Sequence, residues 1–180
     1  MLLADVVGEL GASGSGVLSV DALDHLVWVA SRTYDLLPPD APCFAGGTQG
    51  QDYPALDPAD GLQNVWAANF GVAGQAGYLP GLVENASFRS NIGLVNTGFD
   101  TATVLVELFD GAGNKLTSYT STLANGQWSQ AVKPFWKLAG QTALDSGYAR
   151  VTVQSGYGVF AFASVIDNLT NDPTTVVMQR

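Results

Sequence analysis

The stretch TATVLVELFDGAGNKLTSYTSTL, residues 101–123, decides the fold class of this chain. Its first part alternates in polarity, so that Val104, Val106 and Leu108 share one face of an extended strand. The glycine-rich segment DGAGN (110–114) follows and suits a tight turn with positive φ angles. The nine residues after this turn alternate again. The stretch therefore predicts an antiparallel β-hairpin with one buried face.

Similar strand patterns lie on both sides of this hairpin, separated by turn signals roughly every 8–12 residues. They are NIGLVNTG (91–98), QWSQAV (127–132), YARVTVQ (148–154), VFAFASVID (159–167) and TTVVMQ (174–179). The segment SGYG (155–158) is a further hairpin signature. Short helices are indicated only at residues 5–10 and 134–139, each followed by a glycine. We therefore predict an all-β fold, an antiparallel β-sandwich of the Ig-like or jelly-roll-like kind with one or two short helices.

The composition excludes several classes of function. Lys and Arg total 7 against 16 Asp and Glu, so the chain is acidic, with a formal net charge of −9 that would repel nucleic acids. The single cysteine, Cys43, excludes an intrachain disulfide and a Cys-ligated metal site. No apolar run approaches the roughly 18 residues that span a bilayer. The first residues, MLLADVVGELG, lack the basic start and long apolar segment of a signal peptide.

Two segments of the chain are similar to each other. SRTYDL (31–36) aligns with SVIDNL (164–169), and upstream of them GVLSV (16–20) aligns with GYARV (147–151). The ordered match favours a partial internal duplication, although any two β-hairpins share such a shape.

The duplication predicts three parts of the chain. Residues 1–35 would form a partial first β unit, residues 36–85 a Pro/Gly-rich connection packed on the sheets, and residues 86–180 a β-sandwich unit. The first unit lacks the strands that precede the match in the second, so the chain would begin inside that unit. Because an incomplete sandwich exposes strand edges, we expect the central segment or a neighbouring chain to supply the missing strands.

Several phrases resemble a recurrent, poorly characterised bacterial module found in secreted multidomain proteins. They are FRSNIGLVNTG (88–98), ELFDGAGNKL (107–116), GYARVTV (147–153) and FAFASVIDNLTNDPTT (160–175). The resemblance covers most of the chain, while LQNVWAANFG (62–71) departs from the layout of that module. It implies an extracellular, non-catalytic β-sandwich, and it supplies no catalytic residues to carry over.

The densest cluster of side-chain oxygens ends the apolar run VFAFASVID. Its members are Asp167, Asn168, Asn171 and Asp172. Ca²⁺ takes roughly six to eight oxygen ligands, which carboxylates, amides and turn carbonyls supply. The alternative is a turn, because Asp and Asn cap backbone groups where a strand ends. We favour the turn, with calcium as the cofactor that the sequence leaves open.

Exposed tryptophans are candidates for stacking on sugars. Trp128 and Trp136 lie near turn signals, so they are the better candidates for carbohydrate contact than Trp28, which lies in an alternating strand pattern. The alternative is core or rim packing, since aromatic residues fill sandwich cores.

No catalytic signature is present in the sequence. His25 is the only histidine, GASGSG (11–16) lacks the spacing of a G-x-S-x-G nucleophile elbow, and Cys43 has no histidine partner beside it. Arg89 and Arg150 lie in strand patterns, where each is expected to pair with a carboxylate or carbonyls.

We therefore predict no enzymatic activity. The expected function is that of an extracellular module that packs against itself or against neighbouring domains through exposed strand edges. The alternatives are a carbohydrate-binding accessory module of a secreted enzyme, with polysaccharide as its partner, and a small hydrolase, whose catalytic groups would have to converge from distant positions.

Overall fold

The computed structural model describes residues 5–13, 18–21, 29–36, 48–57, 60–63 and 76–180. The predictions made for His25, Cys43 and Trp28 lie outside these residues. The elements in chain order are α1 (Val6–Glu9), β1 (Ala30–Leu36), β2 (Thr48–Pro54), β3 (Leu62–Gln63), β4 (Ala76–Glu84), β5 (Phe88–Asn96), β6 (Ala102–Asp110), β7 (Lys115–Leu123), β8 (Trp128–Val132), α2 (Pro134–Ala139), β9 (Leu144–Ser155), β10 (Tyr157–Asp167) and β11 (Pro173–Val177).

Two antiparallel sheets pack face to face and form the sandwich. The five-strand sheet has the order β11-β10-β5-β8, with β3 also pairing with β10, and the four-strand sheet has the order β4-β9-β6-β7. This arrangement confirms the predicted all-β sandwich with two short helices. No helix within the described ranges is long and apolar enough to cross a membrane.

The hairpin predicted at residues 101–123 is present as β6 and β7. Val106 pairs with Tyr119, and Val104, Val106 and Leu108 are fully buried in the core. The Asp110 carboxylate accepts hydrogen bonds from the backbone N–H groups of residues 112 and 114, which holds the turn closed. Local alternation and turn chemistry therefore suffice to define this hairpin.

Apolar side chains from the facing surfaces of both sheets fill the core. Burying one such side chain contributes about 1.5–3 kcal/mol, so this face holds the sheets together. The largest fully buried members are Leu62, Leu79, Leu82, Ile92, Leu94, Leu108, Leu123 and Phe135.

The hairpin predicted at SGYG (155–158) is wrong. β9 pairs with β4 and β6, whereas β10 pairs with β5, β11 and β3, so the chain crosses here from one sheet to the other. Gly156 has a φ of 83°, and a Cβ atom there would lie 2.7 Å from the Cα atom of Ala102. The pattern identified a turn correctly but carried no information about which strands would pair.

The N-terminal strands form a separate two-stranded ribbon of β1 and β2. This ribbon docks on the outer face of the five-strand sheet, the face directed away from the core. Gln51 exchanges hydrogen bonds with Ser164 at 2.8 and 2.9 Å, and the Tyr53 ring meets the Phe162 ring edge-on at 5.6 Å. A buried polar contact and an aromatic contact therefore attach the ribbon to β10.

The central part of the chain contributes to the sandwich. β4, whose sequence is AGYLPGLVE, pairs with β9 in the four-strand sheet. β3 adds two residues to the other sheet.

Candidate functional site

The turn between β4 and β5 and the turn after β10 lie side by side at one end of the sandwich. Asn168 joins them: its backbone N–H donates to the Ser87 carbonyl at 2.8 Å, and its Nδ2 donates to the Ala86 carbonyl at 3.1 Å. The two turns therefore form one surface, although about 80 residues separate them in the sequence.

Arg89 lies between these turns on β5. Its guanidinium donates one hydrogen bond to Asn168 Oδ1 and one to Asn171 Oδ1, both at 2.9 Å. These acceptors are neutral amides, which agrees with the expectation of carbonyl partners. No carboxylate in the described part of the chain forms an ion pair with Arg89, so the positive charge of the guanidinium is not balanced by a partner at this surface.

The oxygen cluster predicted as a possible calcium site forms a strand-ending turn. Asp167 Oδ1 accepts from the backbone N–H groups of Thr170 and Leu169, at 2.9 and 2.7 Å, and these bonds lower the pKa of Asp167. The Asp172 carbonyl accepts from the Asp167 N–H at 3.1 Å, and the Asp172 N–H donates to Thr170 Oγ1. Asn171 adopts a φ of 61°, as turn asparagines do.

Calcium binding at this turn stays a prediction. Two of the four predicted ligands, Asn168 and Asn171, direct their oxygens at Arg89, so a cation would compete with the guanidinium. Among the described residues no group of three or more His, Cys, Asp or Glu side chains is arranged to hold a metal. A melting temperature that rises with Ca²⁺ and falls with a chelator would support the ion site.

Helix α2 packs against the same end and is held by Glu84, the last residue of β4. Glu84 is 4% exposed, and its two carboxylate oxygens accept from the backbone N–H groups of Phe135 at 3.1 Å and Trp136 at 2.8 Å. Burial raises the pKa of Glu84, while the two backbone hydrogen bonds oppose that rise. Glu84 therefore replaces the missing cap of a helix whose own N-cap residue, Lys133, makes no side-chain cap.

This cap presents Trp136 to solvent. Phe135 is fully buried and anchors the helix, whereas the neighbouring Trp136 is 52% exposed. The Lys133 ammonium lies over the indole, 5.5 Å from its centroid. Such a cation–π contact contributes about 0.5–1 kcal/mol at an exposed site and helps to orient the ring.

These residues line an open cleft of about 190 Å³, which we call the Trp136 cleft. Its lining includes one residue predicted to bind sugar, Trp136, and one predicted metal ligand, Asn168. Trp128 is not among its lining residues and is a half-buried member of β8, paired with Val95. The lining residues include Phe88, Arg89, Lys133, Trp136, Gln141 and Asn168.

Sequence reasoning missed Glu84 and Lys133 as members of the site. Glu84 ends an ordinary strand, and its distance of about 50 residues from α2 hides the cap. One signal was available: Pro134 begins the helix after a residue that is a poor cap, so an acceptor from elsewhere is required.

The outer edge of β7 is a second surface of interest, which we call the β7 edge. β7 pairs with β6 on one side, and no strand within the described ranges pairs with its other side. Residues 116–123, LTSYTSTL, contain no charged residue and no proline. The opposite edge of this sheet differs, because Tyr78 of β4 exchanges two backbone hydrogen bonds with Gln179, at 2.7 and 2.9 Å.

Comparisons with known proteins give little information about function. No protein-family model matches this chain, and no curated protein matches it. A solved structure described as the crystal structure of Thermotoga maritima 1070 is similar over 58% of this chain and 92% of that chain, with 13% sequence identity and a TM-score of 0.47.

Proposed function

We propose that this chain is a non-catalytic, extracellular β-sandwich module of the secreted bacterial kind that it resembles, and that it pairs with a second copy of itself through the β7 edge. The observation that carries the proposal is the uncharged sequence of that edge. Soluble proteins usually protect an edge strand with charge, proline or a covering segment, because an unprotected edge pairs with other strands.

The charge distribution favours a contact between two copies at this position. Two copies of a chain with net charge −9 repel each other at long range. Residues 116–123 carry no charge, so the repulsion between two copies is weakest where their β7 strands meet. Antiparallel pairing of β7 with its copy would satisfy the unpaired backbone groups of both edges and extend the four-strand sheet across the dimer.

The test is the mass of the chain in solution. Light scattering on the wild type should give a mass above the monomer value of 18.8 kDa that rises with protein concentration. Added salt should strengthen the association, because it screens the repulsion. A lysine at the centre of the edge, Thr120→Lys, should leave a monomer.

Thr101→Lys is the matched control, because it adds the same charge at an exposed position before β6. It should associate like the wild type. A wild-type mass of 18.8 kDa at every concentration would contradict the pairing, and equal association of the Thr120→Lys variant would remove the contact from the β7 edge.

A second candidate function, saccharide binding, is favoured by the exposure of Trp136 beside hydrogen-bonding side chains in the cleft. An exposed indole gives a sugar ring an apolar face, while Gln141 and Arg89 offer polar groups to its hydroxyls. Calorimetric titration with oligosaccharides should detect binding that Trp136→Ala abolishes. Trp128→Ala is the control, since Trp128 is outside the cleft, and a loss of binding caused only by that variant would contradict this site.

A further inference from the structure

The positive charges of this acidic chain are distributed unevenly. Of its seven Lys and Arg residues, Arg89 and Lys133 line the Trp136 cleft, and Lys137 lies on the last turn of α2 beside it. Elsewhere, Lys115 and Arg150 both bind the Glu107 carboxylate, at 2.8 and 2.7 Å. Arg89 and Lys133 therefore lie together at the cleft, whereas Lys115 and Arg150 form ion pairs elsewhere in the described chain.

Two acidic groups near the cleft, Glu84 and Asp145, accept hydrogen bonds from the protein. Glu84 lines it but is 4% exposed, and both of its oxygens accept from the backbone of α2. The nearby Asp145 carboxylate accepts from Asn85 Nδ2 at 2.7 Å. These two carboxylates are already hydrogen-bonded, and the groups with donors to spare for an incoming ligand are Arg89 and Lys133.

Arg89 and Lys133 retain donors for a ligand. A guanidinium carries five N–H donors, and the Asn168 and Asn171 amides take two of those of Arg89. The Lys133 ammonium carries three donors and touches the indole of Trp136. An aromatic platform with two cations beside it matches a sugar ring that bears a carboxylate, since the ring stacks and the carboxylate accepts charge-assisted bonds.

We propose that the Trp136 cleft binds a uronate-containing oligosaccharide, with the sugar ring against Trp136 and the uronate carboxylate at Arg89 and Lys133. This inference rests on saccharide binding, the second candidate function. It adds to that function a preference for negatively charged sugars over neutral ones. Dense polyanions are disfavoured by the net charge of −9, whereas a short oligosaccharide places its carboxylates one sugar apart.

The test compares tri-galacturonate with its methyl ester, which keeps the three rings and removes their charges. By isothermal titration calorimetry at low salt, the full chain should bind the acid about tenfold more tightly than the ester. Lys133→Gln should lower the affinity for the acid several-fold and by more than it lowers that for the ester, since the ester loses only the contact that orients the indole. Trp136→Ala should weaken both ligands.

Lys115→Gln is the control, because it removes the same charge on the outer face of the other sheet. It should leave both affinities unchanged, and if it weakens the acid as much as Lys133→Gln does, the charge effect is not local and the inference fails. Equal affinities for acid and ester would overturn the charge preference and leave saccharide binding standing. Binding of neither ligand would overturn both. Inorganic phosphate that displaces the acid while Trp136→Ala has no effect would reveal a simple anion site and overturn the saccharide assignment.

Discussion

Strands β1 and β10 have similar sequences but different surroundings. ASRTYDL (30–36) and ASVIDNL (163–169) align position by position. Within the described ranges β1 pairs with β2 alone, and the side chains of its first four residues are exposed, whereas β10 pairs with three described strands and is mostly buried. Even the aligned serines differ, since Ser31 donates to the β2 backbone at 3.2 Å while Ser164 binds the Gln51 side chain.

The comparison shows what a shared pattern determines. Both segments form strands, and both contact β2, one through its edge and the other through its face. Arg32 and Thr33 of β1 stand where β10 has Val165 and Ile166, and only the apolar pair suits a strand inside a packed sheet. The internal duplication itself stays a prediction, because residues 22–28 of the first copy lie outside the described chain.

Substitution of the aligned alanines should give the largest difference in stability between the two strands. Ala163 is fully buried and Ala30 is exposed. Ala163→Glu places a charge in the core and should destabilise the fold by about 4 kcal/mol or more, whereas Ala30→Glu should change the free energy of unfolding by less than about 0.5 kcal/mol. Urea denaturation measures both. Similar values would mean that β10 is not embedded as described.

Ion pairs in the four-strand sheet and in the β1–β2 ribbon should differ by an intermediate amount when they are removed. Glu107 is 5% exposed, and hydrogen bonds from Lys115 and from Arg150 lower its pKa. Glu107→Gln should cost about 2 kcal/mol at pH 7. Asp52→Asn in the ribbon should cost less than about 0.5 kcal/mol, because the Arg32–Asp52 pair spans 3.6 Å in solvent.

The pH dependence of stability should reveal the Glu107 ion pairs. A carboxyl group whose pKa is lowered in the folded state stabilises the protein above its unfolded pKa and loses that contribution as pH falls through the folded pKa. For Glu107 the loss begins near the ordinary value of 4.5 and continues below it. Denaturation between pH 7 and pH 3 should show a smaller loss of stability for the Glu107→Gln variant, and an unchanged acid profile would contradict the ion pair.

The aligned serines give the smallest effect. Ser164→Ala removes both hydrogen bonds between Ser164 and the buried Gln51 side chain, which keeps the bond from the Tyr53 hydroxyl, and should cost about 1 kcal/mol, mainly as weaker docking of the ribbon. Ser31→Ala should cost less than about 0.5 kcal/mol, because its hydrogen bond is exposed. Hydrogen exchange at the β2 amides distinguishes the two. Faster exchange in the Ser31→Ala variant alone would reverse the assignment.

Much of the fold was predictable because its signals are local. All seven strands predicted after residue 88 are present, as are both helices. The alternation of Val104, Val106 and Leu108 and the glycine turn after Asp110 act within a few residues, so no distant partner is needed to interpret them.

The candidate site was predictable only in part. Trp136 and Asn168 were identified separately, one as a sugar platform and the other as a metal ligand. Nothing in the sequence indicated that they share a cleft with Arg89, or that Glu84 positions α2 beneath it. Each of these relations joins residues far apart in the chain. The pairing of β5 with β10, and the turn that carries the chain from β4 in one sheet to β5 in the other, create them.

The sequence by itself determined where the chain extends, where it turns, and which face of most strands avoids water. These properties follow from side-chain alternation and backbone preferences within short windows. Tertiary structure alone decided that β9 and β10 enter different sheets, that one edge of β7 pairs with none of the described strands, and that two cations lie beside Trp136. The physical reason is that backbone hydrogen bonds can form between any two strands. The choice of partner strand therefore depends on how the side chains of the whole core pack together.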